Sequence, residues 1–175
     1  MILSSLVTST RYSVIYADPP WRYDNIRTGG SLSSGASQKY NTLSLDDLLS
    51  LNIPAAENSV LFLWVTTPFL GAGFGLMKAW GFNYKTTFVW VKEGRIGMGF
   101  WFRVNTEELL VGTRGKIRPF RSNFKNYLIS PPSKHSHKPD EVRKMIETIC
   151  TGLEPKLEMF ATQEHDGWDV WGDEL

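Results

Sequence analysis

Asp18-Pro19-Pro20-Trp21 puts a carboxylate, a rigid pair of prolines and a broad aromatic face into four consecutive residues. That set suits chemistry on an aromatic amine, a poor nucleophile because its lone pair is delocalised into the ring. Two acceptors, one for each N–H, favour a pyramidal nitrogen and free the lone pair for attack. The Asp18 carboxylate can be one acceptor. The Pro19 carbonyl can be the other, because a diproline makes a stiff, extended bend that keeps its carbonyl out of a sheet ladder. Trp21 offers a face on which a base can rest. The help expected from such a group is electrostatic and positional, with little need for a strong general base. Asp and Pro are also favoured in ordinary strand-ending turns, and the tetrad alone fits that reading as well.

A second feature is electrostatic. The whole chain carries a net charge of +1, but residues 95–138 hold nine Lys/Arg against two Asp/Glu, and residues 139–175 hold three against ten. Within the basic stretch, Trp101, Phe102, Phe120, Phe124 and Tyr127 are interleaved with cations. Such a segment can track phosphates while offering rings to unpaired bases. Arg114, Lys116, Arg118 and Arg121 crowd together beside Gly115 and Pro119, and are the expected substrate grip on an exposed loop. The alternative is a solvated loop whose cations pair with the acidic C-terminal third. His135 and His137 with the lone Cys150 are too few ligands at suitable spacing, so no metal is expected. Gly71, Gly73 and Gly75 fit neither a dinucleotide nor a phosphate-loop pattern, and close helix–sheet packing is expected there.

These groups need elements to hold them. The apolar runs at 12–17, 59–65, 84–91 and 156–161 read as buried strands, with weaker candidates at 108–112 and 126–130. Ser44 and Asp47 have capping-box spacing for a helix over 45–51. Thr67-Pro68 reads as a cap and first turn of a helix running to Trp80, stopped by Gly81. From Pro139 onward, Val142, Met145, Ile146, Ile149 and Cys150 make one apolar face of a helix that Gly152 ends. Strands alternating with helices imply an α/β sandwich around a largely parallel sheet. Ligands then sit beyond the carboxyl ends of the strands, where Asp18 follows the first strand and Thr162-Gln163-Glu164-His165 the last.

The 175 residues suit one domain, 1–175, with a single core. One cysteine permits no internal disulfide and points to a reducing compartment. No apolar run approaches membrane-spanning length, and MILSSLVTST lacks the basic start of a secretory signal. A cytoplasmic protein with no membrane partner is expected.

At the tetrad the chain resembles the amino-methyltransferases, whose motif is Asp/Asn-Pro-Pro-aromatic. ADPPWRY (17–23), KYNTLSLDDLLSLNIP (39–54), LFLWVT (61–66), AWGFNYKTTFVWVK (79–92), EELLVGTRGK (107–116), HSHKPDEVRKMIE (135–147) and KLEMFA with GWDVWGDEL (156–175) narrow the resemblance. In this order they are similar to the MT-A family of adenine methyltransferases, which includes the catalytic subunit of the eukaryotic messenger-RNA enzyme. The resemblance implies a Rossmann-like, S-adenosylmethionine-dependent methyltransferase fold in permuted order, with the catalytic motif N-terminal and the cofactor strand C-terminal. It implies that Asp18, Pro19, Pro20 and Trp21 are the catalytic tetrad, that Tyr40 lies near the target adenine and that Glu107 faces the active site. It also implies that Lys138 anchors the amino-acid end of S-adenosylmethionine, and that Asp173 and Glu174 contact the cofactor's adenine. Thr162 stands where the family has an arginine for the ribose. Glu164 can accept the ribose hydroxyls instead, with His165 beside it. The expected activity is methyl transfer to adenine N6, in DNA rather than RNA, by a chain that can work as a homodimer or heterodimer. One rival is an RNA adenine methyltransferase; the other is a non-catalytic nucleic-acid-binding partner of an active relative, against which the intact tetrad argues.

Overall fold

The computed structural model describes residues 8–21, 43–94, 97, 101–120, 122–132 and 137–172. The elements in chain order are β1 (Tyr12–Ala17), α1 (Leu45–Ser50), β2 (Ala55–Val65), α2 (Leu70–Ala79), β3 (Asn83–Lys92), β4 (Thr106–Arg114), β5 (Tyr127–Ser130), α3 (Asp140–Ile149), β6 (Lys156–Met159) and β7 (Asp169–Trp171). The strands form one sheet in the order β5-β3-β4-β2-β1-β6-β7. Among the described residues β4 alone runs against its neighbours. It pairs antiparallel with β2 and β3, and the remaining pairings are parallel. β1, early in the chain, pairs directly with the late β6. This is an α/β, Rossmann-like sheet with its first strand set beside a late one.

Side-chain alternation along the strands gives the sheet two apolar faces. Ile15, Ala17, Leu61, Leu63, Val65, Leu110, Leu157 and Met159 pack with Leu48 of α1 and Leu76 and Met77 of α2. Val14, Tyr16, Phe62, Trp64, Phe88, Trp90 and Leu109 pack with Val142 and Ile146 of α3 and with Cys150 just beyond it. Each fully buried Leu or Ile contributes about 1.5–3 kcal/mol relative to exposure, so these two clusters hold the helices on. The core tryptophans also satisfy their indole N–H groups. Trp64 donates to the Tyr16 hydroxyl at 2.7 Å, Trp80 to the Leu48 carbonyl at 3.0 Å, and Trp90 to Ser130 Oγ at 3.0 Å.

The ends of elements depart from expectation in specific places. β2 starts at Ala55, four residues early, because Ala55 pairs with Tyr12. Ser44 and Asp47 form the reciprocal capping box. Thr67 is not the cap of α2. Thr67–Phe69 form a short 3-10 turn after Thr66, and α2 begins at Leu70. Gly81 follows α2 with φ of 84°, a left-handed stop that glycine adopts without strain. Of the three glycines of α2, Gly73 bears out close packing: an added Cβ would lie 2.5 Å from Val65 Cγ1 and 3.2 Å from Leu110 Cδ1. Gly71 and Gly75 face open space. β6 ends at Met159 because Phe160 has φ of 63°, and the C-terminal segment adds a strand, β7, parallel to β6.

Candidate active site

The same alternation that builds the core delivers charged groups to one end of the sheet. Val14 and Tyr16 of β1 face α3, so the next residue in that register, Asp18, lies on the α3 side just past the strand's carboxyl end. In β3 the series Phe88, Trp90 continues to Lys92, the last strand residue. β4 runs the other way, so its first residues share that end, and Glu107 precedes Leu109 and Val111 on the α3 face. Lys138 arrives from the segment entering α3.

The four meet. Lys138 Nζ lies 2.6 Å from Asp18 Oδ2 and 3.2 Å from Glu107 Oε2, and Lys92 pairs with Glu107 Oε1. Lys138 Nζ also sits 5.6 Å above the Trp64 ring, and Lys92 Nζ 5.0 Å above Trp90. The two indoles meet edge-on, 6.3 Å between centroids, and form an apolar floor under a cluster of two cations and two carboxylates. Burial pushes the Asp18 carboxyl above its ordinary range. Lys138 pulls it back only in part, while Glu107 and Glu158 push it further up. Burial also opposes ionisation of Glu107, yet Lys138 and Lys92 outweigh it and hold that carboxyl below its usual range. Burial would lower Lys138, but Asp18 and Glu107 reverse the direction and keep the ammonium charged. The cluster thus favours the charged forms of Glu107 and Lys138 and makes the half-buried Asp18 carboxylate easier to protonate.

The tetrad has a more particular shape than its sequence shows. The Pro19 carbonyl accepts a bond from the Trp21 N–H at 2.8 Å, and the Pro20 carbonyl accepts one from Leu43 N–H at 3.2 Å. The Pro19 carbonyl thus stays out of the sheet and keeps a second lone pair. Trp21 is 8% exposed, stacks on Phe69 at 5.3 Å and donates its indole N–H to the Trp64 carbonyl at 3.1 Å. In this conformation its ring packs the wall of the site and does not lie open as a platform.

Beyond β6, Thr162 and Glu164 are exposed and His165 half-buried, with Gln163 Nε2 3.1 Å from His165 Nε2. They follow a strand end adjacent to Asp18, since Ala17 pairs with Met159. Tyr40, Arg121, Asp173 and Glu174 lie outside the described residues.

The expected grip is not brought to the tetrad. Arg114 pairs with Ser59 near the middle of β2, whereas Glu108 pairs with Val65 at its end. At about 3.4 Å per residue, six residues of strand put Arg114 about 20 Å from that end. Lys116 is at the far end too, its backbone N–H donating to Asn58 Oδ1 at 2.6 Å. The reason is direction: an antiparallel β4 carries its C-terminal cations away from Asp18. Arg114, Lys116 and Arg118 are exposed, as a loop reading requires. Phe120 instead packs inward, stacked on Phe62 at 6.3 Å.

Lys92 was not singled out in the sequence. Its signal is the alternation Phe88, Trp90, Lys92, an apolar strand face that ends in a cation. Glu108 was likewise missed. It points to the other face, accepts from Thr67 Oγ1 at 3.0 Å and Thr106 Oγ1 at 3.1 Å, and its buried Oε2 has no hydrogen-bond partner among the described residues.

A family model described as MT-A70 matches residues 12–174. The chain is 36% identical to the Type II methyltransferase M.MunI of a Mycoplasma species, over 94% of this chain and 78% of the relative. It is 30% identical to a putative N(6)-adenosine-methyltransferase MT-A70-like protein of Medicago truncatula, over 94% of this chain and 26% of the relative. Against the N(6)-adenosine-methyltransferase catalytic subunit METTL3 of Homo sapiens the identity is 28%, over 94% of this chain and 28% of the relative. The chain thus spans most of the first of these relatives and about a quarter of the other two.

Proposed function

The chain belongs to the MT-A70 family, whose members are adenine-N6 methyltransferases, and from that premise we propose that it methylates adenine N6 in DNA with Asp18 as the principal catalytic group. The observation that carries the reading is the carboxylate–lysine cluster at the carboxyl ends of β1, β3 and the α3 entry, with the Pro19 carbonyl beside it. DNA is favoured over RNA by the similarity to the Type II methyltransferase, which is higher in identity and covers far more of the relative.

The family implies S-adenosylmethionine, which carries a carboxylate, an ammonium and a sulfonium. The donor set fits: one lysine for the carboxylate, and two carboxylates with which positive charge is compatible. When bound, this group supplies an electrophilic methyl on sulfur. Lys138 is the residue proposed to hold its amino-acid end, with Thr162, Glu164, His165, Asp173 and Glu174 toward the nucleoside.

The protein's own residues then act on the amine. Asp18 accepts one N6–H bond and the free lone pair of the Pro19 carbonyl accepts the other. Both acceptors are fixed before the reaction, so little reorganisation is needed as charge develops. The raised Asp18 also makes a suitable receiver for the proton that N6 sheds after transfer. Glu107, held ionised between two lysines, keeps Lys138 charged and fixed. Trp21 and Phe69 wall the site and exclude water.

Methyl-labelled cofactor, offered with DNA and RNA oligonucleotides of one sequence, tests the assignment. Faster labelling of DNA, with N6-methyladenine recovered on digestion, is the expected result. Labelling of RNA alone would transfer the same mechanism to an RNA substrate.

A further inference from the structure

Trp101 and Phe102 are 93% and 85% exposed, whereas Trp21, Trp64, Trp80, Trp90 and Trp168 are 8% exposed or less. Large aromatic side chains dominate cores and interfaces because of the apolar area they carry. An adjacent pair left in water marks a contact surface.

The pair sits in the connection from β3 to β4, which springs from the active-site end of the sheet. Its stem continues the ladder outward: Lys92 N–H donates to the Asn105 carbonyl at 2.7 Å and Gly97 N–H to the Val104 carbonyl at 3.0 Å. Trp101 and Phe102 lie beyond the second of these bonds. Glu107, bonded to Lys92 and Lys138, is six residues after Trp101, so the two are at most about 20 Å apart. Arg103, next to the pair, is exposed.

Resting on adenine in nucleic acid as the substrate, we propose that Trp101 and Phe102 form a stacking site for the bases next to the target adenine. An adenine within a duplex cannot reach Asp18 without leaving the stack. Its departure uncovers the faces of its neighbours. Planar side chains close to the catalytic carboxylate cover those faces whatever the sequence, since every base has a π-face. Arg103 is the adjoining group for the phosphate backbone.

The test compares the full chain with Trp101→Ala, Phe102→Ala and Trp101→Phe. Binding of a short fluorescent oligonucleotide is followed by anisotropy at several salt concentrations, beside cofactor calorimetry, thermal melts and sedimentation. Loss of one base stack weakens binding by roughly 5- to 150-fold, so each alanine variant should lose about tenfold, with Trp101→Phe retaining most of the affinity. The slope of log affinity against log salt should stay unchanged, because no phosphate contact is removed. Cofactor affinity and melting temperature should not move.

Unchanged oligonucleotide affinity overturns the proposal. So does a loss of self-association with monomer affinity intact, which would make the pair a contact between two copies of the chain. Oligonucleotide binding that depends on Trp101, in a wild type that transfers no methyl to adenine, would sink the substrate assignment and leave the stacking site standing. A wild type that methylates adenine, with variants equal to it in affinity and KM, gives the reverse. A wild type that binds no oligonucleotide overturns both.

Discussion

An ionised carboxylate accepts a hydrogen bond from an amine more strongly than a protonated one, and only the ionised form can take up the proton that N6 sheds, so the titration of Asp18 should set the acid limb of the activity. Burial raises this group above the ordinary carboxylate range and Lys138 pulls it down. Activity should therefore fall as the pH drops through that raised value, and Lys138→Ala should move the limb to higher pH. A pH profile of kcat/KM for both proteins checks this. The same variant should weaken cofactor binding more than oligonucleotide binding, as separate calorimetric titrations would show. The stability sign is opposite to that of a normal salt-bridged Asp. A raised folded pKa means that the folded state holds the proton more tightly than the unfolded chain. The stability contribution is therefore lost as the pH rises from the ordinary value through the folded one, and Asp18→Asn should not lower the melting temperature at neutral pH. The role proposed for Asp18 could be read from the sequence because the Pro19 carbonyl proposed to act with it is contiguous. Its pairing with a lysine 120 residues away could not. Only the register of β1 and β4 and the entry into α3 bring Lys138 between Asp18 and Glu107.

At the scale of elements, the helices and strong strands were readable from apolar period, and what escaped was direction and the short ends. Nothing in Thr106–Arg114 says that this strand runs against its neighbours, yet that reversal brings Glu107 to the site and takes Arg114 away from it. β7 is three residues between Trp168 and Gly172, too short to show a period, and exists because β6 offers it a parallel edge. Packing at α2 gives a contrast within one helix. Gly73→Val must push into Val65 and Leu110, an overpacking that typically costs about 1–3 kcal/mol. Gly75→Ala meets open space on an exposed helical position and should stabilise by about 0.5–1 kcal/mol through lower backbone entropy in the unfolded chain. Urea denaturation of the two variants should show midpoints displaced in opposite directions from wild type.

For the molecule as a whole, the sheet has a chemical end and a remote end, and the basic segment is divided between them. Asp18, Lys92, Glu107, Lys138 and the stem leading to Arg103 lie at the first, while Arg114 and Lys116 lie at the second. The charge excess of residues 95–138 was legible in the sequence, but its division was not, because it depends on strand direction. Arg103→Ala should therefore raise the KM for nucleic acid and flatten the salt slope by roughly 0.7–0.9. The paired change Arg114→Ala and Lys116→Ala should alter both less. Beneath these effects stands one claim, that this end of the sheet transfers methyl to adenine N6 through Asp18. The most direct measurement is single-turnover transfer of a labelled methyl from S-adenosylmethionine to an adenine-containing DNA oligonucleotide, by wild type and Asp18→Asn. The expected result is label recovered as N6-methyladenine in the wild type, and a rate in the variant lower by about 10²–10³ or more at unchanged cofactor affinity. Label on another atom, or a variant rate within a factor of a few of wild type, would contradict it.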